Sequence, residues 1–340
     1  MKRTWTSVLP LLAVLVAVAL VFFGNIDRDQ SIQLLNVSYD PTRELFQDLD
    51  QQFVLKFERE TGQKLTIKQS HGGSSRQAHA VIEGLEADIV SLALPSDIDL
   101  LRKHGLIKDG WPDRLPNHSQ PYTSTIVFVV RRGNPKSIKD WPDLVRPDVS
   151  VITPNPKTSG NGKLSLLAAW GSIIYRGGNE EQARDYLRRL YQNVAVLGSG
   201  ARDSTITFIQ DKIGDIHLTW ENEARFETQE SQGELEIVYP PISIRAEPSV
   251  SWVDKIVGRK KTEGYAKAYL EFLFSRPAQE TIARYGYRPI DPEILREYAN
   301  RLPAVQLFPV TLVAKDWDDA QQKFFADNGV FDLVCTPPPK

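Results

Sequence analysis

Five short segments of the 340-residue chain place small or polar residues between an apolar run and the start of a helical pattern. They are Val37-Ser38-Tyr39-Asp40-Pro41-Thr42, Gln69-Ser70-His71-Gly72-Gly73-Ser74-Ser75, Thr153-Pro154-Asn155-Pro156-Lys157-Thr158-Ser159-Gly160-Asn161, Leu197-Gly198-Ser199-Gly200-Ala201-Arg202-Asp203 and Leu218-Thr219-Trp220-Glu221-Asn222. The chemistry these turns offer is anion binding. A helix start leaves backbone N–H groups unpaired and carries the positive end of the macrodipole. Several such ends, brought together, can surround one small anion.

Each segment also has an ordinary reading. Ser74-Ser75-Arg76-Gln77 is a capping-box pattern, Gly72-Gly73 alone is a turn, and an isolated Trp220 is usually core. Gly160-Asn161-Gly162-Lys163 is not a phosphate loop: Lys157 stands where its first glycine belongs, and Leu164 follows the lysine. His71, His79, His104, His118 and His217 show no metal-ligand spacing. His71 and Ser74 lie on one short turn, a poor basis for a nucleophile–base pair. No catalytic residue, metal or cofactor is expected. The nearby cations Arg43, Arg76, Lys157 and Arg202 are expected to be solvated or salt-bridged.

The elements that must position these turns follow from periodicity. Residues 32–39 read as a strand. Residues 41–60 read as a helix, with Leu45, Leu49, Phe53 and Phe57 at four-residue spacing. Further strand–helix alternation to residue 104 implies parallel strands with right-handed crossovers. After an irregular, proline-rich stretch, 123–131 reads as a strand. A second alternating region then runs to about residue 239, with helices at 161–175, 180–191, 204–211 and 221–230. A long β run is expected at 248–257, then helices at 262–274 and 277–285. The β-rich crossings near Thr123 and Glu247 divide the chain into two α/β lobes, and a cleft between such lobes is a natural ligand site.

Composition agrees with a globular protein of about two domains: 41% hydrophobic, 25% charged. A net charge of −2 argues against nucleic-acid binding. Attraction for an anion must therefore be local. The lone cysteine, Cys335, can form neither an internal disulfide nor, alone, a zinc site. Lys2 and Arg3 precede an uncharged run over residues 8–23, shorter than the ~20 residues of a spanning helix. This fits a secretory signal, with an uncleaved membrane anchor as the alternative. Both place the body outside the cytoplasm.

The six stretches Ser38–Glu44, Gln69–Ser74, Pro121–Val127, Ile152–Lys157, Ser199–Arg202 and Trp220–Ala224 together resemble the periplasmic sulfate-binding proteins, the receptors of sulfate/thiosulfate ABC importers. The resemblance runs from about residue 32 to about 331. It implies an α/β, two-lobed, type II periplasmic-binding-protein fold, with the ligand cleft between lobes joined by a two-segment hinge. The expected organisation is a signal peptide or anchor plus spacer over 1–30, lobe 1 over 31–122 and 248–310, and lobe 2 over 123–247. A C-terminal helix over 311–340 is expected to pack across or onto lobe 2. The resemblance further implies a monomeric periplasmic receptor that docks on membrane permease subunits. Carried onto this chain, the implied sulfate ligands are the backbone of Asp40, the hydroxyl and backbone of Ser74, the backbones of Gly160, Asn161 and Ala201, and the ring nitrogen of Trp220. The chain departs from the family pattern at Asn161, where a second glycine is usual, and at Ser75, also commonly glycine.

Sulfate at neutral pH offers only acceptors, and backbone N–H, indole N–H and a rotated hydroxyl supply donors. Hydrogen phosphate also needs an acceptor, and Asp40 is the one carboxylate among the matched residues. Its direction is therefore the selectivity question. Phosphate or molybdate reception is the first alternative, an ester hydrolase the second and a tethered anion sensor the third.

Overall fold

The computed structural model describes residues 32–335. The expected leader lies outside them. Among the described residues, no helix is long and apolar enough to cross a membrane.

The main strands form two sheets. The first has the order β11-β3-β1-β2, with β1 (Ile32–Tyr39), β2 (Leu65–Gly72), β3 (Ile89–Leu92) and β11 (Ser249–Trp252). Its three sequential strands are parallel, and β11 returns antiparallel on the edge. Helices Arg43–Thr61 and Ser74–Ile82 make the two crossovers, and Pro95–Lys103 follows β3 as the chain leaves the sheet. Leu45, Leu49 and Phe53 of the first helix join one core cluster with Leu34 and Ile89, while Ala78 and Val81 of the second join another with Val37 and Val90. The sheet is thus covered on both faces, as parallel strands require.

The second sheet has the order β7-β6-β8-β5-β9, with β5 (Ile126–Arg131), β6 (Val151–Pro154), β7 (Val194–Gly198), β8 (Ile216–Trp220) and β9 (Leu235–Val238). Strand β5 runs antiparallel to β8 and β9. Behind the sheet lies helix Gly160–Tyr175, buried continuously from Gly160 to Ser172. Such all-round burial marks a helix inside the core rather than upon it.

The two chain crossings lie side by side: Ser124 and Ala246 exchange backbone hydrogen bonds in an antiparallel bridge. Nearby, β4 (Tyr122–Thr123) pairs with β12 (Arg288–Pro289). Strand β10 (Ile242–Ile244) pairs with β13 (Gln306–Phe308).

Two elements differ from expectation. The β run after Pro248 ends at Trp252, and Asp254–Lys260 is helical. A short apolar run carries no clear period to separate strand from helix. The C-terminal region is not one helix. It comprises the turn Val310–Leu312, helix Trp317–Ala320, the π-helical turn Gln321–Phe325 and helix Val330–Cys335. Extended backbone at Ala326 and left-handed backbone at Asn328 interrupt it. Phe324, Phe325, Val330, Phe331 and Val334 nevertheless pack into the core cluster of the second sheet.

Candidate functional site

Strands β1, β2, β6, β7 and β8 all point their carboxyl ends at one place, where ligands of open α/β sheets sit. There, Tyr39, Asp40, Pro41, Gly72, Gly73, Ser74, Ser159, Gly160, Asn161, Ala201 and Trp220 line a small cavity of about 10 Å³. Drug-sized ligands occupy pockets of roughly 300–1,000 Å³, so this far smaller space admits only a small group such as an inorganic ion. All six residues named from the sequence line it. Asp40 and Ser74 come from the first sheet's half, and Gly160, Asn161, Ala201 and Trp220 from the second's.

Four helices begin on the cavity wall: Ser74–Ile82, Gly160–Tyr175, Ala201–Ile209 and Glu221–Glu230. Their N-cap residues Gly73, Ser159, Gly200 and Trp220 make no side-chain capping bond. In the first three, the earliest intrahelical bonds are Gln77 N–H to Gly73 O, Lys163 N–H to Ser159 O and Ser204 N–H to Gly200 O. The preceding amides of each first turn have no partner within their helix. Trp220 is fully buried against Tyr39, ring centroids 5.4 Å apart, and its indole N–H has no hydrogen-bond partner. A buried donor left unpaired costs about 1–3 kcal/mol. The wall is therefore built from donors that a bound acceptor would satisfy.

The hydroxyl of Ser74 is engaged elsewhere. It donates to Asp97 Oδ2 at 2.5 Å and accepts from the Ala93 amide at 2.9 Å. Ser75 donates to the other Asp97 oxygen at 3.0 Å, which gives that departure a local structural role. Ser159, also on the wall, carries a hydroxyl that caps nothing. In the sequence Ser159 is one residue of its turn, with no contact assigned to it. Its place directly before a helix start is its one signal in the sequence.

Asn161 needs no left-handed backbone; it lies in the helix and is absent from the positive-φ residues. Its side-chain amide donates to Leu218 O at 3.3 Å. The Asp40 carboxylate has one oxygen 3.5 Å from the Arg43 guanidinium. Its other oxygen lies against Gly200, 2.8 Å from where a β-carbon would sit. Burial raises the Asp40 pKa, and Arg43 partly opposes the rise.

Three cations of the wall-forming segments, Lys157, Lys163 and Arg202, are held in ion pairs. Lys163 Nζ lies 3.3 Å from Asp97 Oδ1, both side chains only 4% exposed, and also donates to Gln321 at 2.9 Å. This ion pair joins the two halves. Arg202 does so again, 2.7 Å from Glu44 on one side and 2.9 Å from Glu223 on the other. Burial pushes the Glu223 carboxyl up to about 8, with Arg202 opposing. Lys157 binds Asp332 at 2.9 Å and the carbonyls of Phe325 and Ala326. His71 is hydrogen-bonded to Ser38 through Nδ1 at 2.7 Å, and burial with Arg43 and Arg202 lowers it to about 4. Among the described residues, no group of His, Cys, Asp and Glu could hold a metal ion.

Residues 43–288 match the family model described as bacterial extracellular solute-binding protein. The chain is 50% identical over 307 residues to a sulfate-binding protein of Escherichia coli K12, covering 90% of this chain and 93% of that one. It is 45% identical over 306 residues to a thiosulfate-binding protein of Pseudomonas aeruginosa, covering 89% and 92%. Among solved structures, the sulfate-binding protein SubI from Mycobacterium tuberculosis H37Rv superposes with a TM-score of 0.78 at 29% identity, covering 86% of this chain and 99% of that one. With the family model spanning most of the chain, and relatives aligned nearly end to end, the chain belongs to the bacterial extracellular solute-binding proteins.

Proposed function

We propose that this protein is a periplasmic receptor that captures sulfate, and also thiosulfate, and delivers it to the permease of an ABC importer. The carrying observation is the fully buried, unpartnered Trp220 indole N–H on a small cavity where four uncapped helices begin. Such a site offers an anion hydrogen-bond donors and helix dipoles. Relatives named for sulfate and thiosulfate binding support the same ligands, and binding rather than catalysis. The two sheets are the lobes, and the paired crossing at Ser124 and Ala246 is the hinge.

The ligand contacts we propose are the backbone N–H groups of Asp40, Ser74, Gly160, Asn161 and Ala201, and the Trp220 indole. The hydroxyl is supplied by Ser159 rather than Ser74, because the Ser74 proton is committed to Asp97. Charge-assisted hydrogen bonds contribute about 1.5–3 kcal/mol each. A few therefore reach the roughly −8 kcal/mol of micromolar binding once dehydration is offset. The Asp40 carboxylate, turned to Arg43 and Gly200, supports sulfate over hydrogen phosphate. Titration calorimetry with sulfate and phosphate at pH 6 and pH 8 tests this. Tight sulfate binding at both is expected, and tighter phosphate binding would overturn the assignment.

A further inference from the structure

Two places in the closed cleft bring opposing lobes closer than a single methyl group allows. A β-carbon built on Gly73, in the first lobe, would lie 2.4 Å from the Thr158 carbonyl oxygen of the second. A β-carbon on Gly160, in the second lobe, would lie 2.5 Å from the Ala93 β-carbon of the first. Real side chains do not approach so closely, so either addition holds the lobes apart. Neither glycine is required by its own backbone. Gly73 has φ −57° and ψ 133°, accessible to any residue, and Gly160 is helical. Their smallness is needed only between the lobes, and only when the cleft is shut.

We propose that Gly73 and the Gly160–Ala93 contact form a closure stop that selects the anion by size. This rests on the anion-receptor reading above. Both contacts border the cavity: Gly73 and Gly160 line it, and Ala93 donates its amide to the Ser74 hydroxyl. The distance at which the lobes meet thus fixes the distance between the donors of Ser74 and those of Gly160 and Asn161. A shorter stop gives a cavity for a smaller ion; a longer stop loosens all the cross-cleft hydrogen bonds together. Gly160 and Ala93 are complementary. Without the Ala93 methyl, the nearest atoms to a β-carbon at 160 are Ser74 Cβ at 3.4 Å and Ala93 Cα at 4.0 Å, which are ordinary contacts. A methyl can therefore be moved from one wall to the other without changing the gap.

The test uses sulfate, selenate and molybdate at pH 8: three tetrahedral dianions of rising size. Calorimetric affinities are compared for the full chain and for Gly73→Ala, Gly160→Ala and the double variant Ala93→Gly/Gly160→Ala. The unsubstituted protein should rank sulfate first and molybdate last. Overpacking at a rigid contact should weaken sulfate in each single variant by roughly ten- to a hundredfold. Molybdate should weaken less, narrowing the ratio. Ligand-free melting temperatures should stay level, since the glycines are free of contact when the cleft opens. The double variant should recover both affinity and ratio. An unchanged ratio in both single variants, or no recovery in the double, overturns the closure stop while leaving sulfate reception intact. Failure of the unsubstituted protein to bind any of the three overturns the receptor reading itself.

Discussion

Helices Gly160–Tyr175 and Glu180–Gln192 follow each other in the chain but begin differently. The second opens with a reciprocal capping box: the Asn179 side chain accepts from the Gln182 backbone N–H at 3.0 Å, and the Gln182 side chain accepts from the Asn179 backbone N–H at 2.9 Å. The first has Ser159 at the equivalent position, a residue equally suited to capping, yet its side chain makes no such bond. One start faces solvent and is closed by its own sequence. The other faces the cleft and keeps its donors. At Gly160–Tyr175 the capping residue is present and its side chain is left free of the helix start.

Four experiments would break or sharpen this contrast. The largest effect is expected from Lys163→Met, which leaves Asp97 buried without its cation. Losing one partner of a buried pair costs about 3–5 kcal/mol. Because the pair spans both lobes, the loss should appear in denaturant midpoints of the sulfate-saturated protein; a drop below about 1 kcal/mol would show the pair to be dispensable. Next, Trp220→Phe keeps the ring against Tyr39 and deletes the indole N–H. Sulfate affinity should fall by about 1.5–3 kcal/mol, and unchanged affinity would remove Trp220 from the site.

The paired cap variants address the contrast itself. Asn179→Ala should lower stability by about 1 kcal/mol without affecting sulfate titrations. Ser159→Ala should do the reverse, weakening binding roughly tenfold at constant melting temperature. If both behave alike, the open and closed starts do not differ in function. The smallest response concerns pH. His71, held near 4, stays neutral between pH 7 and 5. Protonation would add positive charge beside the cavity and tighten sulfate, so affinity should stay level across this window. A rise on acidification that His71→Gln abolishes would show that His71 charges there.

Much of this was legible in the sequence because it is local. The strand–turn–helix segments around Ser74, Gly160 and Ala201 carry their own punctuation, and the motifs lie in order along the chain. What escaped is non-local. The Ser74 hydroxyl is claimed by Asp97, 23 positions away, so its role cannot be seen from its own turn. Lys163 seemed only a failed phosphate-loop lysine, but folding places it in a buried interlobe ion pair. The C-terminal region breaks at Ala326 and Asn328 through backbone geometry that its apolar spacing does not reveal.

That broken tail has a practical consequence. Its residues hold the segment carrying Ser159 and Gly160 at two points, Gln321 on Lys163 and Asp332 on Lys157. Asp318 ties it to Lys103 of the first lobe at 2.7 Å. The tail is therefore strung across the moving parts like a tendon, and Cys335, the chain's one cysteine, lies exposed three residues beyond Asp332. As the chain's one thiol, it confines labelling to a single position. A dye there should report each sulfate capture as a change in emission, without any engineered attachment point.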